Sequence, residues 1–165
     1  MAHEINFHPA SPIFRVNSLI ESLAYYKNKL GFTQDWIHEG IFASVSRGKA
    51  NIMLCVGDQG QGKAWIYIGV GSAELLYGEY KSKNAIIRQR PTNFPWALEL
   101  QVEDIDGNVI RFGSEPKKNV PFGPWLDMNG NLCINKKYMN NSMSYIMGII
   151  QGIVIGLAIG IINKS

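Results

Sequence analysis

The chain has 165 residues, 46% of them hydrophobic and 18% charged, which fits one domain with an appendage and excludes a disordered chain. Three of the 16 basic residues, Lys136, Lys137 and Lys164, lie in the acid-free stretch 134–165, leaving 13 bases against 13 acids in 1–133. So neutral a body has no basic stripe to meet phosphates, which excludes nucleic acid as the expected partner. The two cysteines, Cys55 and Cys133, are too few for a disulfide framework and point to a reducing, cytoplasmic setting.

Along the chain, MAHEINFHPASP lacks the basic start and apolar run of a targeting peptide. PIFRV (12–16) predicts a strand. Asn17 and Ser18 offer an N-cap, and Leu19, Leu23, Tyr26 and Leu30 follow at helical spacing, with Gly31 as a left-handed stop. FTQDWI (32–37), IFASVS (41–46) and NIMLCV (51–56) predict three strands, and GDQGQGK (57–63) a flexible connection. The order then restarts. WIYIGV (65–70) predicts a strand, SAELLYGEYKSKNA (72–85) a helix capped by Ser72, and IIRQR (86–90), WALELQV (96–102) and NVIRF (108–112) three further strands. Pro91, Pro95 and Asp106-Gly107 punctuate them. The expected fold class is α+β, with two βαβββ modules whose curved sheets surround a shared cleft. In WALELQV, alternation sets Trp96, Leu98, Leu100 and Val102 on one face and Ala97, Glu99 and Gln101 on the other.

Several of these segments resemble one family. Val16-Asn17, Ser22-Leu23-Ala24-Tyr25-Tyr26 and Leu30-Gly31-Phe32 resemble the first module of the vicinal oxygen chelate superfamily, which includes glyoxalases, bleomycin resistance proteins and extradiol dioxygenases. Glu103 to Phe112, EDIDGNVIRF, resembles its D-P-D-G-N-x-I-x-F signature, with Ile105 in place of the proline. The resemblance covers roughly 11–127. It implies a cleft which, in the metal enzymes, holds one divalent ion through ligands on the first and last strands of each module. Those four positions fall on Ser11, Met53, Trp65 and Arg111. None is a His or a carboxylate, and Arg111 sets a fixed cation where a metal would sit. The expected cofactor set is therefore empty.

Other chemistry-bearing residues add little. His3, His8 and His38 have no metal-ligand spacing, and solvent-exposed or hydrogen-bonded roles are expected for them. Cys55 ends an apolar strand and is expected to be a buried small hydrophobe. Asp104 and Asp106 fit turn chemistry. Two readings stand for Glu99: a solvated strand face, or a carboxylate projecting into the cleft. Trp36, Phe42, Trp65, Tyr67 and Trp96 fall on strands expected to line that cleft, where aromatics stack on planar ligands. Core packing is the alternative for each.

The expected function is a metal-free small-molecule binding protein that sequesters a planar or cationic ligand between two protomers. Its ligand-binding residues would be Trp36, Phe42, Trp65, Tyr67, Trp96, Glu99 and Arg111. A metal-dependent glyoxalase- or dioxygenase-like enzyme with relocated ligands is the alternative. Exposed sheet edges, together with the resemblance, imply a homodimer. The domain is expected at 1–127, followed by a polar linker at 128–144 and an apolar helix at 145–162. In that helix Gly148, Gly152, Gly156 and Gly160 recur every four residues. It is expected to attach the chain to a membrane, the alternative being a non-native extension.

Overall fold

The structure is a computed structural model that describes residues 9–60 and 63–123. Its elements run β1 (Ile13–Arg15), α1 (Leu19–Asn28), β2 (Thr33–His38), β3 (Phe42–Arg47), β4 (Ala50–Cys55), β5 (Trp65–Gly69), α2 (Ala73–Ser82), β6 (Ile86–Asn93), β7 (Leu98–Glu103) and β8 (Val109–Ser114). This is βαβββ twice. The strands form two four-stranded sheets of the same order, β1-β4-β3-β2 and β5-β8-β7-β6. In each, the first strand runs parallel to the last and the other pairs are antiparallel. The linker at 128–144 and the apolar segment at 145–162 lie outside the described residues. Among those described, no helix is long and apolar enough to cross a membrane.

The caps form as the sequence dictates. Ser18 and Ser72 each accept a hydrogen bond from the backbone N–H three residues on, which satisfies a donor the helix leaves free. Gly31 takes φ +70° just after α1, a conformation that costs glycine nothing.

Two strand expectations need correction. β6 continues through Pro91 to Asn93. It lies at the edge of its sheet, where a residue without an N–H is tolerated. β7 begins at Leu98, so Trp96 belongs to the bend before the strand, and its side chain does not follow Leu98, Leu100 and Val102 into the core.

One continuous core joins the modules. It holds Phe14, Leu19, Tyr26, Leu30, Val45, Ile52 and Leu54 from the first, and Ala73, Tyr80, Leu98, Leu100, Val102, Ile110 and Phe112 from the second. The turn between β7 and β8 fastens the second module to α1. Asp104 accepts from the Tyr26 hydroxyl at 3.0 Å, from Asn108 Nδ2 at 2.9 Å, and from the backbone N–H groups of Asp106 and Asn108. Asp106 accepts from Asn17, through its backbone N–H and its amide, and from the Ser22 hydroxyl. Asn108 also donates to the Arg15 carbonyl. The D-x-D-G-N run therefore closes its own turn and clamps the modules together.

Candidate functional site

Strand register decides which side chains stand on the face of each sheet turned away from its helix. In the second module Leu98, Leu100 and Val102 enter the core, so their neighbours in β7 take the other face. Following the pairing across the sheet gives three rows: Trp65, Val109, Glu103 and Ile86; then Tyr67, Arg111, Gln101 and Gln89; then Gly69, Gly113, Glu99 and Thr92. Trp65, Tyr67, Glu99 and Arg111 thus share one surface.

Glu99 is the centre of this face. Its residue is 0% exposed, so it is not a solvated strand position. Arg111 grips it through Nε to Oε2 at 3.1 Å and Nη2 to Oε1 at 2.7 Å. The Trp96 indole N–H donates to Oε1 at 2.7 Å. This hydrogen bond explains where Trp96 turns: its ring stacks on Phe94 at 5.1 Å and its polar edge reaches the carboxylate. Beside them the Tyr67 hydroxyl crosses Gly113 so closely that a Cβ there would collide with it. Arg88 lies over the Trp65 ring at 5.2 Å and pairs with Glu103 at 3.4 Å. Gln89 is buried, and among the described residues its amide has no hydrogen-bond partner.

The first module offers a different face. Phe14, Ala43, Val45, Ile52 and Leu54 enter the core. Ile13, Met53, Ser44 and Trp36 form one row on the opposite side, and Arg15, Cys55, Phe42 and His38 the next. Trp36 and Phe42 touch, with ring centroids 5.4 Å apart. Asp35 joins them because β2 carries a register shift between Gln34 and Trp36. Such a bulge sets two residues against one, so Asp35 and Trp36 both reach the Ser44 side. Asp35 accepts from Ser46 at 2.6 Å, Ser44 at 2.8 Å and Asn51 at 3.1 Å. The two hydroxyls, Ser46 foremost, hold its carboxyl below the ordinary carboxylate range.

None of the five expected aromatics joins the fully buried core. Trp36, Tyr67 and Trp96 are exposed and Phe42 and Trp65 half-buried, whereas Phe14, Tyr26, Phe32, Tyr80 and Phe112 are buried. Asp35, Ser44, Gln89 and Gln101 were not legible as site residues. The signal for Asp35 lies in the pairing of β2 with β3, which spacing along the chain does not report.

The metal positions implied by the resemblance do not suit an ion. Met53 stands opposite Ile13 as Arg111 stands opposite Tyr67, so the two modules present them equivalently. A thioether and a guanidinium occupy these places, and the guanidinium is already bound to the nearest carboxylate. Ser11 and Trp65 supply a hydroxyl and an indole. Among the described residues no three His, Cys, Asp or Glu side chains group where an ion could be held.

A cavity of about 660 Å³ opens between the modules near the helices, away from the two sheet faces. Phe32, Ile68, Val70, Leu76 and Phe112 line it along with Arg47 and Glu79. Arg47 donates to Glu79 at 2.7 Å and to the Leu30 carbonyl at 2.7 Å, and the guanidinium holds the Glu79 carboxyl below its usual range. These groups serve the junction of the modules.

No protein-family model matches the sequence, and no curated protein matches it. Solved structures do match the fold. A glyoxalase/bleomycin resistance protein/dioxygenase from Nocardioides aligns over 73% of this chain and 93% of its own, at 15% identity and TM-score 0.54. A bleomycin-binding protein from bleomycin-producing Streptomyces verticillus, complexed with copper(II)-bleomycin, aligns over 67% of this chain and 98% of its own, at 21% identity and TM-score 0.56. TioX from Micromonospora sp. ML1 covers 65% and 99%, at 14% identity and TM-score 0.55. With its repeated βαβββ order and paired four-stranded sheets, the chain has the vicinal oxygen chelate fold, shared with these glyoxalase/bleomycin resistance protein/dioxygenase structures.

Proposed function

We propose that the chain is a metal-free small-molecule binding protein of the glyoxalase/bleomycin-resistance type, which sequesters its ligand against the helix-free faces of its sheets. The observation that carries this reading is Arg111 locked onto the buried Glu99 at a position where the metal enzymes of this fold hold an ion. That pair leaves neither a free carboxylate for a metal nor a free base for proton transfer, whereas the aromatics around it stay exposed. Exposed rings on a polar floor are the usual walls of a site for a planar molecule. The likeness to a bleomycin-binding protein supports small-molecule binding; the neutral body argues against bleomycin itself as the ligand.

Purified full-length protein is therefore expected to carry no stoichiometric divalent metal by mass spectrometry, and EDTA is expected to leave its Tm unchanged. A bound ion would stabilise the fold by mass action, and removing it would show. One metal per chain, lost together with stability on chelation, would favour an enzyme with relocated ligands instead.

The reading extends to assembly and location. The domain is taken to end near 127, with 128–144 as linker. The edge strands β2 and β6 and the open faces favour a homodimer, and residues 145–162 favour attachment of a cytoplasmic body to a membrane. Sedimentation in mild detergent should give twice the chain mass. Full-length protein should stay with the membranes through an alkaline carbonate wash. A monomer, or release by the wash, removes the corresponding part.

A further inference from the structure

The charges on the two helix-free faces are not balanced alike. On the second module each carboxylate has its own cation: Glu99 has Arg111 and Glu103 has Arg88. On the first module Asp35 is exposed and holds three neutral donors, and among the described residues no Lys, Arg or His pairs with it. Arg15 stands on β1, at the opposite edge of that sheet, roughly 14 Å away at ordinary strand spacing. It is too distant to neutralise Asp35.

We propose that Asp35, together with the Trp36 and Phe42 rings, forms a seat for an organic cation, an ammonium, amidinium or guanidinium group on a planar ligand. The register shift in β2 creates this seat, because it brings the carboxylate and the indole to the same side over Ser44. Ser44, Ser46 and Asn51 fix the carboxylate, and Asn51 in turn donates to the Ser44 hydroxyl at 2.6 Å. Three donors still leave a carboxylate, with about four lone-pair sites, room for one further partner. A cation there gains the charge of Asp35 and the negative face of an exposed indole. The hydroxyls that anchor Asp35 also favour its charged form. This seat rests on the reading of these faces as a ligand site and assigns that ligand's charge.

Benzamidinium and benzamide have nearly the same shape and differ in charge, so they separate the two claims. Each is titrated into full-length protein while backbone amide shifts are followed by NMR. An exposed ion pair plus a cation–π contact should favour benzamidinium by about tenfold. The shifts should centre on Asp35, Trp36 and Ser44, and the preference should weaken as salt is raised. Asp35→Asn should cut the ratio to the share of the cation–π contact, about two- to fivefold, without lowering the Tm by more than a few degrees, and Arg15→Gln should retain the full preference. The salt dependence needs no variant and stands even if Asp35→Asn folds poorly. Equal binding of the two probes, or a preference that Asp35→Asn leaves undiminished, overturns the cation seat while leaving the binding function in place. Failure of both probes to saturate below about 10 mM, with no shifts on the strands of either face, counts against both.

Discussion

Arg111→Leu should lower the unfolding free energy by about 3 kcal/mol in urea denaturation at neutral pH, followed by tryptophan fluorescence. Removing one partner of a buried ion pair strands the other charge, which costs about 3–5 kcal/mol. The lower end applies because the Arg111 side chain keeps 27% of its exposure while that of Glu99 keeps 1%. After the change, Glu99 would retain the Trp96 indole N–H as its one donor among the bonds described. The double variant Glu99→Leu with Arg111→Leu should recover most of the loss, since well-packed apolar groups commonly replace a buried pair at little cost. A loss below about 1 kcal/mol in the single variant would show the pair to be solvated. It would then no longer be the fixed floor on which the binding reading depends.

The second large effect is expected at the turn that clamps the modules. Asp104→Ala should cost about 3 kcal/mol or more. It removes the acceptor for the buried Tyr26 hydroxyl and for the buried Asn108 amide, and each orphaned buried donor costs about 1–3 kcal/mol. The effect carries a pH signature. Burial raises the Asp104 carboxyl above its ordinary range, against the pull of its donors, Asn108 foremost. Between the ordinary pKa and the raised one, the native state holds a proton that the unfolded chain has released. The stability linked to this group is therefore complete below the ordinary carboxylate pKa and is lost as pH rises through the raised value. Asp104→Asn removes that titration. The Tm of the wild type minus that of Asp104→Asn should fall as pH is raised from about 3 to about 7. A difference that grows with pH would mean that the donors outweigh burial and that Asp104 is held as an anion.

Tyr26 shows why this clamp was only half legible. Its place on the helix face follows from spacing with Leu19, Leu23 and Leu30, and burial keeps its hydroxyl protonated well past the usual range. Asp104, Asp106 and Gly107 read correctly as a turn, because turn chemistry is local. That the same carboxylates reach Ser22 and Tyr26, about 80 residues earlier, depends on how the modules dock, and no local pattern encodes that.

The sequence by itself determined the repeated βαβββ order, the serine caps of both helices and the left-handed stop at Gly31, because caps, stops and alternation are set by neighbours along the chain. It also set a hydroxyl, a thioether, an indole and a guanidinium at Ser11, Met53, Trp65 and Arg111, since the chemistry of a side chain is fixed wherever it lies. Only the tertiary structure decided the partners. Alternation left Glu99 between solvent and cleft, and the register of β7 with β8 closed it under Arg111. Spacing set Trp96 with the leucines of its strand, but an indole N–H that can reach a buried carboxylate turned it the other way. A one-residue register shift in β2 moved Asp35 onto the face of Trp36, a placement that strict alternation forbids. An ion pair across β7 and β8 for Glu99, a hydrogen bond three residues along the chain for Trp96 and the hydroxyls of β3 for Asp35 outweighed the alternation, because such bonds are worth more than the preference of a single residue for one face.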